Sequence, residues 1–379
     1  MTIKSKTQSY QIPRYSLTGD LLSFLECEVQ YRFNSKGSMP PSTPVQRWFG
    51  DFIHGVMEVG FTEWKEGKLN INNMDFEDTQ RIAKIVAERL ENRGLHPYSG
   101  LYIKEDTPNK KRKDCNGNLI AHYSLSQWAP RLYPLINDNE VRLEDLREMP
   151  GYSEGQSSSE YYAIQGIVDV ISTINVTEFH ADNPLVVALN DVIGNKANQS
   201  EYEIIIDYKG MERPSTDSNI WMYHEWQLNT YMWLRHQQLK AEGKETPILA
   251  GVLLYLNELN LSKKAIEHLQ VMVAEGRTDV MPDGADLNRL LNGKRFKDKF
   301  CVERCIRVVT YDEKNIQDSL IHFDEVVRRI ESNLTSELSD SSNIWNHWKG
   351  THDKNRCVAC DLKTFCPCAK EGKYSIQVP

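Results

Sequence analysis

From Leu17 to Phe33 the apolar residues Leu21, Leu22, Leu25 and Val29 recur at helical spacing, until the polar, proline-bearing SKGSMPPSTP interrupts them. Val45 to Trp64 and Asp78 to Asn92 repeat the amphipathic pattern, so the first hundred residues read as mainly helical. After a polar loop at 107–117 the period changes. YYAIQGIVDVISTI, Tyr161 to Ile174, and EYEIIIDYKG, Glu201 to Gly210, carry β-branched and aromatic residues at strand density. Between them, ADNPLVVALNDVIGNKANQS reads as an excursion from a hairpin. IWMYHEWQLNTYMWLRHQQLKAEG then predicts a helix, TPILAGVLLYLNEL a buried strand, CIRVVTY another strand, and Asn315 to Glu331 another helix. The lysine-rich NGKRFKDKF and the serine-rich SELSDSSN read as exposed connections. No internal repeat or interdomain linker is visible. The pattern fits one α/β core with helical insertions.

Composition narrows the class. An apolar fraction of 40% with 26% charged residues is that of a soluble globular protein, and no run approaches the roughly 18 uncharged apolar residues of a membrane span. The start, MTIKSKTQSYQIPRYSL, lacks the apolar centre of a secretory signal, so the expected location is cytoplasmic, with no membrane partner. A net charge of −8 argues against a uniformly basic surface, while leaving room for a local basic channel.

Candidate chemistry lies on the two central strands. Asp169 closes G-I-V-D within one, and Asp207 and Lys209 form D-Y-K at the end of the other. Side chains two apart on a strand share a face, so Asp207 and Lys209 point the same way. Two carboxylates suffice as the protein share of a Mg²⁺ site that keeps water and phosphate oxygens as its other ligands. Gln227 and Tyr231, four apart on a helix, share a face and suit contact with a strand's backbone and bases. VRLEDLREM offers Glu144, Asp145 and Glu148 as a further carboxylate, with Glu58 as an alternative; the sequence does not choose among them.

The eight cysteines are uneven: Cys357, Cys360, Cys366 and Cys368 cluster near the end, Cys27 stands near the start, and Cys115, Cys301 and Cys305 lie between. C-x2-C-x5-C suits zinc or an iron-sulfur cluster equally by spacing, with Cys368 or His352 available to complete a local zinc site.

G-I-V-D followed by I-I-D-Y-K-G, with Q-x-x-x-Y downstream and G-D-F-I-H-G upstream, resembles the ordered motifs of RecB-like PD-(D/E)XK nucleases. The L-E-C-E-V-Q-Y-R-F segment around Cys27 is similar to the upstream cysteine segment of the iron-sulfur members, such as CRISPR-associated adaptation nucleases and AddB-type nuclease domains. The resemblance implies an α/β restriction-endonuclease-like core with a mixed sheet, a helical N-terminal region, insertions, and an iron-sulfur clamp joining the termini. It implies one elaborated domain over 1–379, with a mainly helical region at 14–142, the catalytic core at 143–260 and a C-terminal region at 261–379. By the same resemblance, His54, Asp169 and Asp207 hold Mg²⁺ or Mn²⁺, Lys209 assists catalysis, and Gln227 and Tyr231 guide DNA. Cys27, Cys357, Cys360 and Cys366 hold a [4Fe-4S] cluster. The implied activity is hydrolysis of phosphodiester bonds in single-stranded DNA or at DNA ends, in defence, recombination or repair. No Walker-type G-x-x-x-x-G-K-[ST] is present, so a motor would be a separate helicase or defence-complex subunit. The alternative is a non-catalytic or partner-dependent DNA-binding subunit of such a complex.

Overall fold

β-Branched runs bounded by polar turns become strands, and stretches with a 3.6-residue apolar period become helices. The computed structural model describes residues 12–36, 45–155, 157, 159–175, 182–194, 201–340, 344–364 and 366–371. Residues 37–44 of the proline-bearing break, 180–181 and 195–200 of the expected excursion, and 341–343 of the serine-rich connection lie outside them.

Among the described residues the strands are β1 (Arg14–Ser16), β2 (Ile136–Glu148), β3 (Tyr161–Asn175), β4 (Glu201–Lys209), β5 (Ile248–Tyr255) and β6 (Ile306–Thr310). The longer helices are α1 (Val45–Lys65), α2 (Phe76–Asn92), α3 (Asn116–Tyr123), α4 (Pro184–Ile193) and α5 (Asn219–Ala241). They continue with α6 (Lys263–Ala274), α7 (Gly284–Leu291), α8 (Asp298–Cys305) and α9 (Glu313–Ser339). Helix α2 begins two residues before the expected Asp78, because Asp75 is the N-cap and Asp78 closes a capping box with it. Strand β2 replaces the tail of the expected helical region: it is charged and largely exposed, so its apolar pattern is faint.

The strands form a six-stranded mixed sheet in the order β1-β3-β4-β5-β6, with β2 on β3. β3 and β4 are antiparallel, Val170 opposite Ile206, and β5 and β6 are antiparallel, Leu253 opposite Arg307. β4 and β5 run parallel, Asp207 beside Leu253 and Lys209 beside Tyr255, and α5 makes the crossover that parallel neighbours require. With cover on both faces, β4 reads as a near-continuous apolar run, EYEIIIDYK.

The chain divides into two compact units built from interleaved segments. Each of the stretches 14–142, 143–260 and 261–379 is shared between them. The larger, Thr43–Val141 with Ile167–Asp312, has a core of Trp48, Phe52, Ile53 and Val56 from α1, Ile204 and Ile206 from β4, and Val252 and Leu254 from β5. Trp48 and Phe52 stack at 4.5 Å, and the buried Arg235 of α5 grips Glu203 of β4 with two hydrogen bonds of 2.8 Å.

The smaller unit joins Met1–Ser42, Arg142–Gly166 and Glu313–Pro379. Here β1 lies parallel to the start of β3, with Tyr15 opposite Ile164. Polar contacts bind its outer segments together. Glu28 accepts from Arg329 (2.7 Å), Asn333 (3.1 Å) and the Lys349 amide (3.0 Å), while Glu337 accepts from Arg32 and Trp348.

Candidate active site

The β3/β4 ladder determines where the acids meet. Its last pair is Val170 with Ile206; one step further in the same register stand Asp169 and Asp207. At that step the Tyr208 amide donates to Asp169 Oδ2 at 2.6 Å. The ladder therefore ends in two facing carboxylates. Both are buried, Asp207 only 3% exposed, in surroundings that tolerate ionised groups only beside compensating charge.

Compensation comes from three elements. His54 of α1 donates from Nδ1 to Asp169 Oδ1 at 3.1 Å, which places the proton on that nitrogen. Lys209 Nζ lies 2.5 Å from Asp207 Oδ2 and donates to Gln227 Oε1 of α5 at 2.6 Å. Gln227 Nε2 in turn donates to the Tyr231 hydroxyl at 3.0 Å. The six residues singled out for metal, catalysis and strand contact thus converge. Gln227 and Tyr231 are both buried, and the Gln227 amide faces Lys209.

Charge coupling runs through the group. Burial pushes the Asp207 carboxyl up, Lys209 opposes that shift, and Asp169 adds to it. For His54, burial disfavours the charged ring, but the charge and hydrogen bond of Asp169 prevail and raise its pKa to about 9. A residue absent from the sequence reading joins them: Glu140 of β2, raised to about 7 by burial and by the charges of Asp169 and Glu58. Glu140 also has a φ of 53°, a left-handed conformation that costs a non-glycine residue free energy and clusters at functional sites. Among the carboxylates weighed from sequence, Glu58 belongs to this neighbourhood, whereas Glu144 pairs with Arg14 at 3.5 Å in the smaller unit.

This donor set fits a hard divalent cation. It offers clustered carboxylates, an imidazole, and a buried Asp207 whose Oδ2 is held by Lys209. Among the described residues no three His, Cys, Asp or Glu side chains already stand grouped to hold a metal ion. His54 and Lys209 stand as internal counterions to the two aspartates.

In the smaller unit, Cys27, Cys357, Cys360 and Cys366 line one small cavity with Arg356 and Lys363. Cys27 sits at an extended residue (φ −166°, ψ 107°) between two short helices, Ser23–Glu26 and Glu28–Tyr31. The Cys357 thiol is pushed up by burial and by the sulfurs of Cys27, Cys366 and Cys360. Cys368 is not on that cavity; its sulfur lies against Gly350. Cys115, Cys301 and Cys305 are buried in the larger unit, the last two within its apolar cores.

The basic stretches at 109–113 and 292–300 are partly paired within the fold. Arg112 binds Glu77 and Asp106, and Arg295 stacks over Tyr123 at 4.4 Å. Among the described residues, no helix is long and apolar enough to cross a membrane.

Residues 19–367 match the family model of the PD-(D/E)XK nuclease superfamily. No curated protein matches the chain significantly.

Proposed function

The chain belongs to the PD-(D/E)XK nuclease superfamily, whose members are generally nucleases and typically use Mg²⁺ or Mn²⁺, and on that premise we propose that it is a metal-dependent deoxyribonuclease of the RecB-like branch. The observation that carries this reading is the end of the β3/β4 ladder, where Asp169 and Asp207 face each other beside the Lys209 ammonium. In this reading Asp169, Asp207 and His54 hold the metal, and Glu140 adds a carboxylate at its edge. A bound divalent ion supplies Lewis acidity toward the scissile phosphate and the attacking water. Lys209 orients that water and stabilises the charge that develops on the phosphate. Gln227, fixed by Tyr231, holds the ammonium in place, and this α5 face borders the path of the strand. Proposed substrates are single-stranded DNA or DNA ends, reached in the cytoplasm alongside a separate helicase or defence-complex subunit, in defence, recombination or repair.

The second element of the proposal is a [4Fe-4S] cluster on Cys27, Cys357, Cys360 and Cys366. Their shared cavity supports it, because it draws thiols from the two ends of the chain to one place. Such a cluster would act as a staple and take no part in hydrolysis.

End-labelled single- and double-stranded DNA, incubated with anaerobically purified protein and Mg²⁺ or Mn²⁺, tests the activity. Cutting by the parent protein and by neither Asp207→Ala nor Lys209→Ala is expected. Absence of cutting by cluster-loaded protein with both metals would instead favour the partner-dependent DNA-binding subunit.

A further inference from the structure

Helix α5 carries a stripe that extends past the anchor of Lys209. Ile220, His224, Gln227 and Tyr231 recur four, three and four residues apart, the spacing of a single helix face. Burial is graded along it: Ile220 is 46% exposed, His224 partly exposed, and Gln227 and Tyr231 buried. The face that holds Lys209 through Gln227 therefore runs out to solvent by way of His224 and Ile220.

Strand β5 sets the imidazole. Tyr255 stands beside Lys209 in the parallel β4/β5 register, and both side chains reach α5, the tyrosine at His224 and the lysine at Gln227. The Tyr255 hydroxyl meets His224 Nδ1 at 3.0 Å. Tyr255 has no exposed surface, and its hydroxyl has no other partner among the described residues, so its proton goes to Nδ1. The proton of a neutral ring then stands on Nε2. That nitrogen has no partner among the described residues and is not an enclosed atom, so it faces solvent as an oriented donor. Burial and the positive charges of Lys209 and Arg307 lower the pKa of His224 to about 3, which keeps the ring neutral at pH 7. Arg307, which clasps Asp279 together with Arg213, lies 4.2 Å over the Trp221 ring and 5.8 Å over that of Tyr255, and so braces the tyrosine.

We propose that His224 is a substrate-binding residue of the nuclease site, its Nε2–H donating to a phosphodiester oxygen next to the scissile phosphate on a DNA strand that enters past Ile220. This rests on the reading of Asp169, Asp207 and Lys209 as the cutting centre. Three residues of helix advance about 4.5 Å, so the donor stands just outward of the glutamine that holds the ammonium. A neutral donor to an anion is directional and releases no counterion; it fixes the register of the strand without adding to the salt dependence of binding. The contact is made alike before and during bond cleavage, so it lowers KM and leaves kcat.

Fluorescence anisotropy of a labelled single-stranded oligonucleotide with the anaerobically purified full chain and Ca²⁺ tests it, beside cleavage kinetics with Mg²⁺ or Mn²⁺. His224→Gln keeps a neutral N–H donor at similar reach and should bind within about threefold of the parent. The double variant His224→Phe with Tyr255→Phe removes the donor and leaves no buried hydroxyl unpaired, so it reports even if His224→Phe alone fails to fold. It is expected to raise Kd and KM about tenfold, the loss of one hydrogen bond to a charged group, with kcat within about twofold and the salt dependence of binding unchanged. An unchanged Kd in the double variant, a glutamine no better than the double phenylalanine, or a fall in kcat at constant KM would each overturn the proposal, the last because it would assign the histidine to support of Lys209. A parent that binds the oligonucleotide through His224 and cuts nothing would sink the nuclease reading and leave this contact standing. A parent that cuts while both variants match it would do the reverse.

Discussion

Asp207 is an acid on a strand covered from both sides, with the ammonium of the lysine two residues on 2.5 Å away. Removing either partner therefore affects both binding of the metal and placement of charge. Lys209→Ala is expected to lower the single-turnover cleavage rate by roughly a thousandfold, the upper range for losing one preorganised donor to a transition state. Gln227 acts through Lys209, so Gln227→Ala should lower kcat about tenfold to a hundredfold with little change in KM, as expected for a misplaced catalytic group. A large rise in KM at constant kcat would show instead that the amide binds the strand. The acids and lysine were legible because strand periodicity places D-x-K on one face, and the motif order added the rest. Glu140 was not: its place depends on a left-handed backbone residue in a charged strand, which no periodicity announces.

At the scale of elements, segments with a strong apolar period were the readable ones. α1, β3, β4, α5 and β5 fall within a few residues of their expected bounds, while β2 was hidden by its charge. The start of α2 shows how local chemistry fixes a boundary that periodicity misses. Asp75→Ala should cost about 1 kcal/mol in chemical denaturation, the usual value of an N-cap; no measurable loss would mean the capping box contributes nothing net. The loop that carries Asp279 is tied down by its two arginines, which hold its carboxyl well below the usual range against the opposing effect of burial. A depressed carboxyl stabilises the fold above its unfolded pKa of about 3.9 and loses that contribution as pH falls toward its folded value. Asp279→Asn should therefore melt lower than the parent at pH 7, with the gap narrowing below about pH 4. A gap independent of pH would assign the loss to packing.

For the whole molecule, interleaving of the two units could not be read from sequence, because nothing in composition marks residues 142–166 as belonging with both outer segments. The cysteines were the one long-range signal. Under the cluster proposal, Cys27→Ser and Cys357→Ser should each lose absorption near roughly 400 nm and melt lower, whereas Cys115→Ser should keep its colour. Retained absorption in Cys27→Ser would move the fourth ligand to Cys368.

The smaller unit also sets an order of events in the cell. Cys27 leaves the ribosome roughly 330 residues before Cys357, which at about 5–20 residues per second is a delay of tens of seconds. Until Arg329 is made Glu28 has none of its C-terminal partners, and throughout the interval Cys27 lacks Cys357, Cys360 and Cys366, while every residue of the larger unit has been synthesised by Asp312. A chain cut short between Asp312 and Cys366 would thus carry the complete set of acids at the β3/β4 end but never the four-cysteine cavity. Filling that cavity can only follow synthesis of Cys366, which makes it a mark by which chains that reach this cysteine differ from shorter ones.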